Sequence, residues 1–125
     1  MARILIVEDS ADNMKLFRTL LALKGHELAG LVTGEGLTQA LDTFQPELVL
    51  MDIQLPGRDG FELLAEIRAS AHAARRVVAL TAHAMAGDRE QALAAGFDGY
   101  LTKPIDIRQF PEQVARALAG ETVTA

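Results

Sequence analysis

The chain contains no cysteine and no tryptophan, only one tyrosine, and only four prolines among 125 residues. The missing cysteines exclude disulfides and thiolate metal sites, leaving oxygen and imidazole as the available ligands. Only three histidines occur, His26, His72 and His83, and they share neither a helix face nor a short spacing, which argues against a histidine metal centre. No apolar stretch reaches 18 residues, so no segment reads as a membrane span. The N-terminus lacks a secretory pattern: Arg3 precedes four apolar residues that end in Glu8 and Asp9. The cytoplasm is the expected compartment. A net charge of −5 provides no basic footprint for nucleic acid. Gly34-Glu35-Gly36 lacks the third glycine of a dinucleotide fingerprint. Met14, Met51 and Met85 read as core filler.

Half of the residues are hydrophobic, which fits one globular domain burying roughly two thirds of its chain surface. Four apolar runs stand out. Arg3-Ile4-Leu5-Ile6-Val7 leads into Glu8-Asp9, and Glu47-Leu48-Val49-Leu50-Met51 leads into Asp52. Val77-Val78-Ala79-Leu80 leads into Thr81, and Gly99-Tyr100-Leu101-Thr102 into Lys103-Pro104. Short apolar runs between helical segments read as buried parallel strands. His26 to Val32 is a weaker strand candidate.

Apolar spacing predicts helices over Asp12–Lys24, Gly36–Phe44, a segment carrying Phe61, Leu64 and Ile67, Asp88–Ala95, and Ile105–Leu118. The last of these is expected to start near Ile107 or Arg108, which would put Pro111 in its first turn. Gly25, Pro46 and Gly96 act as stops. There is no internal repeat, linker or low-complexity tract. Residues 1–119 read as the domain, and residues 120–125 as a frayed tail.

Strands alternating with helices imply a doubly wound α/β domain: a five-stranded parallel sheet with right-handed crossovers and five helices. In the flavodoxin-like order 2-1-3-4-5, strands one and three meet at the switch point, where ligand sites form beyond the carboxyl ends. Glu8, Asp9 and Asp52 would then be neighbours, with Thr81 and Lys103 on the same edge. Three close carboxylates repel one another, each pair by roughly 4 kcal/mol at an effective dielectric near 20. A magnesium ion with its preference for hard oxygen ligands would relieve that repulsion, and the lysine and threonine suit a phosphoryl group.

Taken singly, each residue also has a structural reading. Glu8 and Asp9 are plausible helix caps, Asp52 a turn opener and Thr81 an N-cap. Lys103 alone reads as a solvated lysine, and Tyr100 as strand packing. Their joint placement at one sheet edge is what favours a functional site.

Ile6-Val7-Glu8-Asp9, Leu50-Met51-Asp52-Ile53-Gln54-Leu55-Pro56, Asp59-Gly60, Leu80-Thr81-Ala82 and Lys103-Pro104 resemble the CheY-like response-regulator receiver domains, and the match covers essentially the whole chain. Asn13-Met14-Lys15-Leu16-Phe17 and Ala84-Met85-Ala86-Gly87-Asp88 resemble the DivK-type single-domain receivers of cell division. Receivers fused to hybrid histidine kinases share much of the second stretch.

The resemblance implies that Asp52 accepts a phosphoryl group from a histidine kinase or a histidine phosphotransfer protein. It implies Mg2+ bound directly by Asp9 and Asp52, through water by Glu8, and by the backbone carbonyl of Gln54. Lys103 would pair with a phosphoryl oxygen, oriented by a cis bond to Pro104. Thr81 would move onto the phosphoryl group and Tyr100 would turn inward. The face of helix four, strand five and helix five would then engage a downstream protein, with no nucleic acid or membrane as partner. His83 and Gln54 occupy positions that tune phosphate lifetime in the family. Arg75-Arg76 stand where many receivers have a proline.

Such a chain is expected to be a signalling switch and not an enzyme with a turned-over substrate. The start at Met1 and the short tail favour a stand-alone regulator over a receiver excised from a hybrid kinase. A haloacid-dehalogenase-like phosphohydrolase would need an acid where Gln54 stands, together with a cap domain. A flavodoxin-like electron carrier would need a hydroxyl- and glycine-rich loop where Glu8-Asp9 stand.

Overall fold

The computed structural model describes residues 2–82 and 87–125. His83 and Met85, with the alanines beside them, lie outside the described residues. The elements alternate as β1 (Arg3–Val7), α1 (Ala11–Ala22), β2 (Glu27–Leu31), α2 (Leu37–Phe44), β3 (Leu48–Asp52), α3 (Gly60–Arg68), β4 (Arg76–Thr81), α4 (Asp88–Ala95), β5 (Gly99–Thr102) and α5 (Phe110–Leu118), followed by β6 (Val123–Thr124). All strand pairs are parallel and the order is β2-β1-β3-β4-β5-β6. The expected doubly wound α/β arrangement is present, extended by one strand.

Alternation along the strands divides the core into two layers. Leu5, Val7, Val49, Met51, Val77 and Ala79 face α2, α3 and α4, packing on Leu41, Leu63, Leu64 and Ala92. Ile4, Ile6, Leu48, Leu50, Val78 and Leu80 face α1 and α5, packing on Phe17, Leu21, Phe110 and Val114. Phe17 and Phe110 meet at 5.2 Å between ring centroids and tie α1 to α5. Met51 is fully buried and Met14 packs against the second layer, as expected of filler. Among the described residues no helix is long and apolar enough to cross a membrane.

Two expectations need correction. α5 begins at Phe110, later than the sequence pattern indicates. Asp106 accepts hydrogen bonds from the amides of Arg108 and Gln109 and opens a separate turn. Pro111, lacking an N–H, cannot extend the ladder back through that turn. The second correction concerns residues 120–125, which are not frayed. Val123 and Thr124 pair with Gly99 and Tyr100, because the Val123 side chain is apolar, β-branched and buried at 3% exposure against the α5 layer.

Candidate functional site

β1 and β3 are neighbours, so their carboxyl ends deliver Glu8, Asp9 and Asp52 to one place. The three carboxylates offer oxygens that all lie within 4.8 Å of one another. Glu8 is wholly buried and Asp52 is 2% exposed, whereas Asp9 is exposed to solvent. Each buried acid is held by a local amide: Ser10 N–H donates to Glu8 Oε2 at 3.0 Å, and Gln54 N–H donates to Asp52 Oδ1 at 2.8 Å. The Ser10 hydroxyl in turn accepts from Asn13 N–H and caps α1.

The loop after Asp52 is closed tightly. Gly60 N–H donates to the Ile53 carbonyl at 3.0 Å, and a Cβ on Gly60 would come within 2.6 Å of Ile53 Cα. Only glycine permits that approach. Asp59 caps α3 through Glu62 N–H.

β5 brings Lys103 in from the other side. Its backbone N–H donates to the Thr81 carbonyl at 2.7 Å, and the Lys103–Pro104 bond is cis. The Lys103 ammonium sits 3.0 Å from Glu8 Oε1 and 3.0 Å from Asp52 Oδ2. Thr81 is 1% exposed at the end of β4. The structure brings the expected groups to one edge, but nothing in the sequence reveals that Lys103 bridges two acids. A contact between residues 95 positions apart leaves no local pattern to read. The Ser10 and Gln54 amides were also missed, and their only sequence signal is proximity to an acid.

Burial raises the Glu8 pKa and the neighbouring Asp52 charge adds to this, opposed by the Ser10 amide and Lys103. For Lys103, burial on its own favours the neutral amine. The hydrogen bonds and charges of Glu8 and Asp52 outweigh it, so the net shift is upward and the ammonium is retained. Tyr100 lies inside the first core layer at 4% exposure. Burial foremost, then the charges of Asp88 and Glu90 set against Arg89, raises its phenol pKa. The remaining histidines have structural partners: His26 Nδ1 accepts from Ala2 N–H, and His72 contacts Asp42 and Arg75.

A parallel α/β sheet with acids, a threonine and a lysine gathered at its carboxyl edge defines the class of doubly wound proteins with a ligand site at the topological switch point. Residues 4–115 match the response regulator receiver domain, and the chain belongs to that family, whose members are signalling switches. It is 40% identical over 118 residues to the sensor protein GacS of Pseudomonas syringae pv. syringae, covering 91% of this chain but 13% of that protein. It is also 40% identical over 115 residues to the polar-differentiation response regulator DivK of Brucella ovis, covering 89% of this chain and 91% of that one. Among solved structures it is similar to a LuxR-family two-component response regulator of Aurantimonas sp. SI85-9A1. That likeness has 28% identity and a TM-score of 0.88 over 98% of this chain and 89% of the other.

Proposed function

We propose that this receiver acts as a single-domain response regulator, taking a phosphoryl group onto Asp52 from a histidine kinase or a histidine phosphotransfer protein in the cytoplasm. The observation that carries this reading is the Lys103 ammonium held 3.0 Å from both Glu8 and Asp52 at the β1/β3 switch point. Two-sided coverage of the DivK relative supports the single-domain form. The 40% identity to GacS supports a second reading, in which the same residues serve as the receiver segment of a hybrid sensor.

The donor set suits Mg2+. Its octahedral ligands stand up to about 4.2 Å apart, so oxygens within 4.8 Å need only a small inward adjustment. Asp9 and Asp52 would hold the ion directly, Glu8 through water, and Gln54 through its backbone carbonyl. Bound there, it would neutralise the acids and the charge of the transferring group. The Asp52 carboxylate attacks phosphorus, the N–P bond of the donor phosphohistidine breaks, and the bond's electron pair returns to the imidazole nitrogen. Lys103 then shifts from the two carboxylates to a phosphoryl oxygen, and the Thr81 hydroxyl donates to another. Thr81 and Lys103 adjoin β5, so the change is passed to Tyr100 and the α4–β5–α5 face, which engages a downstream protein. The net charge of −5 disfavours nucleic acid as that partner.

Acetyl phosphate with magnesium tests this directly. One phosphate should be added per chain, and Asp52→Asn should abolish it, as should chelation of the metal. Undiminished labelling of Asp52→Asn, with mass spectrometry placing the phosphate on the same other residue in wild type and variant, would sink the assignment.

A further inference from the structure

β6 lies beyond the residues matched by the family model, 4–115, yet it occupies the outer edge of β5. Ala125 N–H donates to the Tyr100 carbonyl at 3.0 Å. The Ala125 carbonyl accepts from both the Thr102 amide, at 2.9 Å, and the Thr102 hydroxyl, at 2.8 Å. Gly99 makes this seat possible, because a Cβ there would stand 2.8 Å from the Val123 carbonyl oxygen. Val123 is the single buried side chain of residues 121–125. The far end of the seat borders a cavity of about 300 Å³ whose lining includes Thr102, Lys103, Pro104 and Ala125. The β5 edge thus reads a segment mainly through its backbone, with one recess for a β-branched residue and a threonine hydroxyl at the end. Strand addition to a sheet edge uses the same features. The resident buries a single side chain, worth about 1.5–3 kcal/mol, against roughly 1–2 kcal/mol for each residue it orders, so its seat depends on the backbone hydrogen bonds to β5 that another extended segment could make equally well.

We infer that the β5 edge is a strand-addition site for an extended protein segment carrying a β-branched residue over Gly99, and that residues 121–125 are a displaceable strap filling it in cis. The inference rests on the proposed α4–β5–α5 output face and supplies its mode of engagement: a partner's segment replaces β6. A short tether keeps the strap at an effective concentration of order millimolar, so a competing segment must bind well or be presented close by.

The test uses a synthetic peptide of residues 120–125, read by amide chemical shifts. In the full chain carrying Val123→Asp, which seats a charge badly in the recess, peptide at about 1 mM should shift the Gly99 to Thr102 amides. The wild type should respond more weakly, by up to about twofold at that concentration, because its own strap competes at a similar effective concentration. A chain ending at Ala119 should behave like Val123→Asp. Unmoved β5 amides in either folded variant would overturn the site. Loss of the fold in both variants would also overturn it, by making β6 part of the core. Wild-type dimerisation reversed by the peptide would assign the seat to a second copy of this chain in place of a different partner. None of these measurements involves phosphate, so a negative result leaves the role of Asp52 untouched, and failure of phosphorylation leaves the strap untouched.

Discussion

Lys103 is the residue on which the site's energetics turn. At 3.0 Å and an effective dielectric near 20, each attraction to a carboxylate is roughly 5.5 kcal/mol. Repulsion between any two of the acids, whose oxygens lie within 4.8 Å of one another, is at least roughly 3.5 kcal/mol on the same scale. The ammonium's two attractions therefore outweigh the repulsion between the two acids it touches, although desolvation of all three groups takes back much of the gain. Lys103→Ala should cost about 3 kcal/mol in metal-free buffer, since it strands two buried acids. The sign of its pH dependence follows from Glu8. A raised carboxyl pKa means that the folded state takes up the proton more readily than the unfolded chain, so the deficit is full at neutral pH and shrinks as pH falls through the raised value. Magnesium should repair it as well, adding about 2.7 kcal/mol at a hundred times its dissociation constant. Urea melts at neutral and acid pH, with and without magnesium, check both effects. An unchanged midpoint in the metal-free variant would show that the acids do not depend on the ammonium.

Arg68, at the end of α3, joins elements that the sequence pattern does not connect. Its guanidinium donates to the carbonyls of Ala73, Arg75 and Gly96 and to the Asp98 carboxylate, and that carboxylate accepts from Val77 N–H at the start of β4. Arg68→Ala should cost about 2 kcal/mol in a urea melt, and Arg68→Lys should not restore it, because an ammonium cannot fork across four oxygens. Just before β2, burial and then the charge of the N-terminus lower the His26 pKa while Glu47 opposes the shift. The unfolded chain therefore binds that proton first, and stability is lost as pH falls through about 6.5 towards the lowered value. His26→Asn keeps an acceptor for Ala2 N–H and should flatten stability across that window. A slope equal to wild type would remove His26 from the account.

β1, β3, β4 and β5 were legible because each is a short apolar run ending in a polar residue, and α4 because Gly96 stops it. β6 was not legible: its two residues carry no period, and its pairing depends on the missing side chain of Gly99, 24 positions away. The start of α5 was obscured because Ile105 and Ile107 extend the apolar pattern through a turn that Asp106 and Pro111 close off.

Across the whole molecule the sheet carries the site at its carboxyl end and separates two core layers, so on the proposed function a change at Thr81 or Lys103 would reach α4 and α5 through β4 and β5. Moving such a switch from mostly off to mostly on takes about 5.5 kcal/mol of differential stabilisation. Two hydrogen bonds to a charged phosphoryl group, at about 1.5–3 kcal/mol each, are of that order. On the proposed function Thr81 would supply one of them, and as the last residue of β4 beside β5 it is the place to uncouple binding from response. The chain's one tyrosine and lack of tryptophan make its fluorescence report Tyr100 alone. With Tyr100 at 4% exposure, acrylamide should quench it weakly even before any ligand is added. Beryllofluoride with magnesium, a phosphoryl mimic on Asp52, should then shift wild-type amides along β5 and through α4. Thr81→Ala should still bind the mimic, with shifts around Asp9 and Asp52, but move the β5 and α4 amides less. Lys103→Ala should lose the distant shifts altogether. Full wild-type shifts in both variants would show that the response travels by another route than the hydroxyl and ammonium at the ends of β4 and β5.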